Sequence, residues 1–180
     1  MCLYIDTILN KYIYGGIIMS KIYCDTLTER LNKESFNGVK LYHGFNAFNT
    51  PKPWDYKFNT LKNNPQRQIC TSTKYLGYMG VIVDGDILMA SSYDLFSGVE
   101  EGTNRRYFDD KDMDSIVYDY NDLELHEDDE DENNEIVVTN VKIKAIWITS
   151  DAPNKLKAIA KDLAEENNIP LVQVGECIFC

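Results

Sequence analysis

A chain of 180 residues is the size of one domain and long enough to bury a proper core. Hydrophobic content of 44% and aromatic content of 12% exclude a wholly disordered chain, and no apolar run reaches the length of a membrane span. The net charge of −11 disfavours direct binding to a nucleic-acid backbone.

Residues 1–18 lack the basic start of a secretory signal. Met19-Ser-Lys-Ile reads as a natural start, and Gly15-Gly16 are codable by a ribosome-binding sequence, so 1–18 are expected to be translated leader. The remainder, 19–180, is then a single domain. Asp25 or Thr26 caps a first helix, with a capping box over Thr26-Leu-Thr-Glu29 and with Leu27, Leu31 and Phe36 sharing one face. Asn37-Gly38 stops it, and Val39–Tyr42 forms a strand that runs into His43-Gly44.

Residues 45–66 read as a loop, given Pro51, Pro53, Pro65 and the Asn63-Asn64 pair. Its rings, Phe45, Phe48, Trp54, Tyr56 and Phe58, either pin that loop to the core or lend one or two faces to a nucleobase or pocket. Gln68–Thr73 reads as a strand. Tyr78–Val83 and Asp86–Ala90 read as two strands of a hairpin turned at Asp84-Gly85. Ser115–Tyr120 is a further strand.

Residues 121–135 hold nine acids and no Lys or Arg, and removing those charges from the −11 leaves −2. This is a nearly neutral domain with one solvated acidic loop, open to a basic partner. Ile136–Val138 and Val141–Thr149 are strands, or one strand bulged near Asn140. Ser150 or Asp151 caps a second helix with Pro153 in its first turn; Leu156, Ile159, Ala160, Leu163 and Ala164 form its apolar stripe. Asn167-Asn168 and Pro170 end it, and Leu171–Val174 is a last strand. The order of elements is α+β.

Five cysteines (2, 24, 70, 177 and 180) without a secretion signal suggest reduced thiols in a cytoplasm, with Cys177 and Cys180 on an inert tail. Two histidines and a single CxxC argue against a metal site on ligand count. There is no P-loop, no GxGxxG and no nucleophile elbow.

What remains is His43-Gly44 at one strand end, Thr71-Ser72-Thr73, the tyrosines 75 and 78, and Glu135 opening a late strand. In that order the set resembles the NAD-dependent ADP-ribosyltransferases. Leu41-Tyr42-His43-Gly44 is similar to the His-Gly strand of the branch that includes diphtheria toxin, and Cys70-Thr-Ser-Thr73 to the Ser-Thr-Ser strand of the other branch. Asn134-Glu135-Ile-Val-Val followed by Val141-Lys-Ile-Lys-Ala-Ile146 looks like the last strand pair of phage-associated members. The likeness covers roughly residues 39–149. Asn133 stands where the first acid of a Glu-x-Glu loop would fall.

The resemblance implies a split β-sandwich with NAD as a substrate held between two sheets; the helix and strand after residue 150 are a C-terminal addition outside the resemblance. It implies His43 bonded to a ribose hydroxyl and Gly44 giving the backbone close approach. Ser72 or a neighbouring threonine such as Thr73 would orient Glu135, and Tyr75 or Tyr78 would stack on nicotinamide. Glu135 would stabilise the oxocarbenium-like charge as the nicotinamide–ribose bond breaks. The product would be a mono-ADP-ribosylated host macromolecule, with a protein target in the host cytosol if the chain is phage-encoded. Its twelve tyrosines and abundant Asn, Ile and Lys suit such an AT-rich source. A different reading is an inactive acidic phage protein whose loop 121–135 docks on a host nucleic-acid-binding or defence protein and inhibits it.

Overall fold

A computed structural model describes residues 21–45, 54–95, 98–124 and 133–177. The expected leader 1–18, Phe48, most of the acidic run and Cys180 lie outside the described residues. In chain order the strands are β1 (Lys21–Tyr23), β2 (Leu41–Gly44), β3 (Ile69–Thr71), β4 (Met79–Ser91), β5 (Gly98–Val99), β6 (Arg106–Asp109), β7 (Ile116–Val117), β8 (Glu135–Thr149) and β9 (Leu171–Val174). The α-helices are α1 (Trp54–Asn63) and α2 (Asn154–Asn167). Among the described residues this is an α+β fold with two sheets, and no helix is long and apolar enough to cross a membrane.

Two long apolar strands organise the larger sheet. β4 and β8 run antiparallel along their whole lengths, from Met79 opposite Ile148 to Ser91 opposite Glu135. Their length gives each of them two outer neighbours. β2 lies along the first part of β4 and β7 along its end. β3 pairs the start of β8, while β9 pairs its end in parallel. The ribbon shifts register between Asp84 and Asp86, and Asn140 adopts a left-handed φ of 52°. Bulges of this kind bend and twist a sheet. The bend is accompanied by contact between its two outer strands: Tyr42 and Ser72 form an antiparallel bridge, with N–H···O distances of 2.8 and 2.9 Å.

The expected hairpin at Asp84-Gly85 is therefore one continuous strand. A two-residue hairpin turn of the Asp-Gly kind needs left-handed φ at its centre, which neither residue has. The glycine answers a different demand: a Cβ there would lie 2.6 Å from the carbonyl oxygen of Thr139 across the ribbon. The bulge expected near Asn140 is present, and 135–149 is a single strand.

The larger sheet carries a core on each face. On one side Phe58 and Leu61 of α1 and Ala160, Leu163 and Ala164 of α2 pack with Ile136, Val138 and Ile146. On the other, Val137 and Met89 pack with Cys24, Leu27, Leu95 and Phe108, beneath the short sheet β1-β6-β5. Alternation along β8 sends Ile136 and Val138 one way and Val137 the other. These two cores explain why the first expected helix does not form. Leu31 and Phe36 belong to the first core and Leu27 to the second, so the chain proceeds as three 3-10 turns, Cys24–Thr26, Thr28–Arg30 and Lys33–Phe36. The capping box is absent; the Thr26 hydroxyl donates back to the Tyr23 carbonyl.

Residues 45–66 are not wholly loop, since α1 occupies Trp54–Asn63. The prolines that suggested a loop flank the helix, where the missing N–H costs little. Trp54, Phe58 and Leu61 fall on one face, and Trp54 stacks on Phe45 with ring centroids 6.5 Å apart. Helix α2 matches its apolar stripe, but its N-cap is Pro153 rather than Ser150 or Asp151. Asn168, at φ 51°, closes it with its N–H directed to the carbonyls of Ala164 and Glu165. The expected strand 115–120 contracts to Ile116–Val117. Cys177 is disulfide-bonded, which departs from the reduced, inert tail expected there.

Candidate functional site

The Tyr42–Ser72 bridge sets the site by bringing the end of β2 against β3. His43 follows Tyr42, and its Nδ1 lies 2.7 Å from the carbonyl oxygen of Cys70. A carbonyl only accepts, so Nδ1 carries the proton and Nε2 is left as an acceptor. Burial lowers the His43 pKa from its ordinary 6.5, helped by the charges of Arg106, Lys57 and Arg67 and opposed by the bond to Cys70. The ring is therefore neutral at neutral pH.

Glu135 opens β8 opposite Ser91 and is only 2% exposed, so it belongs to the fold and not to the solvated acidic run. Its Oε1 accepts from the Cys70 thiol, and its Oε2 accepts from the Leu95 amide at 3.0 Å. Burial raises its pKa above the ordinary value and the charge of Asp94 adds to the rise. The Cys70 bond, the charge of Arg106 and the Leu95 amide oppose it. Asp94 is itself shifted upward by partial burial. Two carboxylates displaced in the same direction thus face one space.

Asn134, beside Glu135, is a clip between strands. Its Oδ1 accepts from the Ser72 hydroxyl at 3.1 Å and from the Thr73 amide at 2.9 Å, and its Nδ2 donates to the Thr73 hydroxyl at 2.7 Å. Ser72 also accepts from the Lys74 amide. The hydroxyl expected to orient Glu135 is thus bonded to Asn134, and the groups bonded to Glu135 are Cys70 and the Leu95 amide.

These groups surround a cavity of about 180 Å³. Of the residues singled out from sequence, His43, Gly44, Ser72 and Glu135 line it. Thr73, Tyr75 and Tyr78 are not among its lining residues. Tyr75 packs edge-on against Tyr42, and its ring centroid is 5.7 Å from that of Trp147. Tyr78 packs on the helix-side core. Tyr42, beside His43, is the tyrosine that lines the cavity. Gly44 also has a different reason for being glycine: a Cβ there would stand 2.5 Å from the Leu76 carbonyl oxygen.

Sequence reasoning missed Cys70 as a thiol in the site, along with Asp94 and Asn134. The sequence marks Cys70 only as one of five thiols and as the first residue of Cys70-Thr-Ser-Thr73, and nothing local in Ser91-Ser-Tyr-Asp94 marks its acid. Asn133 also lines the cavity, and its Oδ1 is buried with no hydrogen-bond partner among the described residues. No group of three or more His, Cys, Asp or Glu among the described residues is arranged to hold a metal ion. Comparison with protein-family models, curated proteins and solved structures returned no match to this chain.

Proposed function

We propose that the chain is a mono-ADP-ribosyltransferase that uses NAD as its substrate and transfers ADP-ribose to a host macromolecule. The observation that carries this reading is the meeting of a neutral histidine and a buried carboxylate, His43 and Glu135, on one small cavity. At about 180 Å³ the cavity is below the ~300–1,000 Å³ of a pocket for a whole drug-sized ligand. It suits the ribosyl end of the substrate, with the adenosine half outside.

In this reading His43 Nε2 accepts from a ribose hydroxyl, and the ring of Tyr42 offers a face to nicotinamide. Each Glu135 oxygen keeps a lone pair for the ribose 2′-OH beside its present bond. As the bond from C1′ to nicotinamide breaks, nicotinamide leaves with the electron pair and positive charge grows on the ribose. Ionised Glu135, already desolvated and oriented, stabilises that charge. The acceptor then bonds to C1′ and loses its proton to Asp94, the second carboxylate at the cavity. The Asn133 carbonyl oxygen supplies an acceptor for the nicotinamide carboxamide N–H.

The test is label transfer from tagged NAD into a bacterial lysate, comparing the wild type with Glu135→Gln. Label on a defined target, reduced by about 10²–10³ in the variant, is the expected result. An absence of transfer together with an absence of NAD binding by calorimetry would remove the reading and leave the acidic-loop inhibitor in its place.

A further inference from the structure

Trp147 is fully buried, yet its indole Nε1–H has no hydrogen-bond partner among the described residues. Buried tryptophans usually find an acceptor, and a buried donor left unpaired costs about 1–3 kcal/mol. The indole lies across β4 at Gly80, where a Cβ would stand 2.9 Å from Cε2, the atom bonded to Nε1. Next in the same row is Gly44 of β2, part of the cavity wall. Two tyrosine rings pack on the indole. Those of Tyr42, which also lines the cavity, and of Tyr75 have centroids 6.2 and 5.7 Å from that of Trp147 and 5.9 Å from each other. The three rings are inclined to one another by 66°, 78° and 52°. Tyr42 and Trp147 sit on strands. Tyr75 is half-buried on the connection between β3 and β4, flanked by Lys74 and Leu76 of the cavity wall, and is the one ring that no strand holds.

We propose that Trp147, Tyr42 and Tyr75 form a second subsite, adjoining the cavity at Tyr42, which takes an uncharged planar heteroaromatic ring. Tyr75 swings aside as that ring enters. The ring packs on Trp147 and Tyr42, and an acceptor on it takes the indole N–H. A cation brings no acceptor to this donor. An anion would give up its water among aromatic rings for a single hydrogen bond. A flat ring gains face and edge contacts from walls inclined in this way. The subsite goes beyond the proposed function and requires neither NAD nor transfer.

The experiment is titration of the full chain with adenine, a flat ring rich in acceptor nitrogens, and separately with benzene, a flat ring that has none. The chain has two tryptophans, so Trp54→Phe leaves the emission of Trp147 as a direct report on the subsite. Adenine should quench that emission saturably. Calorimetry on the wild type should show adenine bound at least about tenfold more tightly than benzene. Trp147→Phe keeps a ring and removes the N–H, and it should weaken adenine about tenfold while benzene stays near its wild-type affinity. Tyr75→Ala removes the ring that has to move and should tighten adenine. Four results would overturn the proposal: no saturable quenching by adenine, equal affinity for adenine and benzene, Trp147→Phe binding adenine like the wild type, or Tyr75→Ala binding it more weakly. Circular dichroism verifies that the variants fold; if Trp147→Phe does not, the quenching and the adenine-to-benzene ratio of the wild type decide. Saturable quenching in a protein inert toward NAD would support this subsite and count against the ribosyl reading only.

Discussion

At its far end β8 buries Ile146, Trp147 and Ile148 against β4, with β9 alongside. At its near end the same strand buries Glu135, directly after Asn134, beneath Leu95 and beside Cys70. Burial is nearly complete at both ends, yet one end is held by packing and the other by polar groups kept from water. Apolar burial stabilises without direction, whereas a buried carboxylate costs free energy unless its bonds are supplied. The near end retains a group whose ionised form is disfavoured by its surroundings, and a site that carries such a cost is where chemistry is to be sought.

The far end should yield the largest change in stability. Ile146→Ala removes a fully buried side chain from the helix-side core, and urea unfolding should show a loss of about 2–5 kcal/mol. Label transfer per folded molecule should stay near wild type. Glu135→Gln should do the reverse, cutting transfer about 10²–10³ while stability at neutral pH is held or raised. If both variants lost stability alike, the contrast between the two ends would collapse. Asn134→Ala is intermediate, since it leaves Ser72 and the Thr73 amide without their acceptor. A cost of about 1–3 kcal/mol is expected by denaturant titration. Asn134→Asp should recover part of it, because an acceptor is restored.

The smallest effect is in the pH dependence of thermal unfolding, where His43 and Glu135 pull in opposite senses. Glu135 binds its proton more tightly when folded, so stability falls as pH rises from its ordinary 4.5 through the raised folded value. His43 binds its proton less tightly when folded, so its contribution is complete above 6.5 and is lost as pH falls from there toward the lowered folded value. Glu135→Gln should therefore steepen the gain in melting temperature with rising pH through this range, and His43→Gln should flatten it. Curves parallel to the wild type in both variants would show that neither group's titration is linked to folding.

Elements whose pattern is self-contained were legible in the sequence. The stripe of α2, the final strand and the bulge at Asn140 depend on neighbours a few residues away. Asp84-Gly85 misled because its local turn preference is overridden by pairing along the whole of β4 with β8. Helix α1 was hidden because boundary prolines and interior prolines look alike in a linear reading. Lys21–Tyr23 and Arg106–Asp109 show no strong alternation, and the short sheet they form is tied by side chains that flank the two strands and are far apart in sequence. Arg105, for example, bonds Asp25 through two nitrogens at 2.7 and 2.9 Å.

At the site, His43 and Glu135 are marked in the sequence by their positions at strand ends, and Ser72 by the likeness of Cys70-Thr-Ser-Thr73 to a Ser-Thr-Ser strand. The thiol of Cys70, the carboxylate of Asp94 and the role of Asn134 depend on how the edges of the larger sheet come together. No window of sequence contains that information. Tyr42 was visible beside His43, but its position at the cavity follows from the bridge to Ser72.

The pairing of β4 with β8 also sets the order in which the molecule can become competent. Its contacts join residues as far apart as Met79 and Ile148, and those around the cavity join His43, Cys70, Asp94 and Glu135. Such long-range closure is slow compared with helix formation. During synthesis, a chain that has emerged only as far as Asn134 lacks the strand against which β3 and β4 must zip. The cavity is thus acquired late, after β8 has left the ribosome, and a truncated product would be inert toward any ligand of this site.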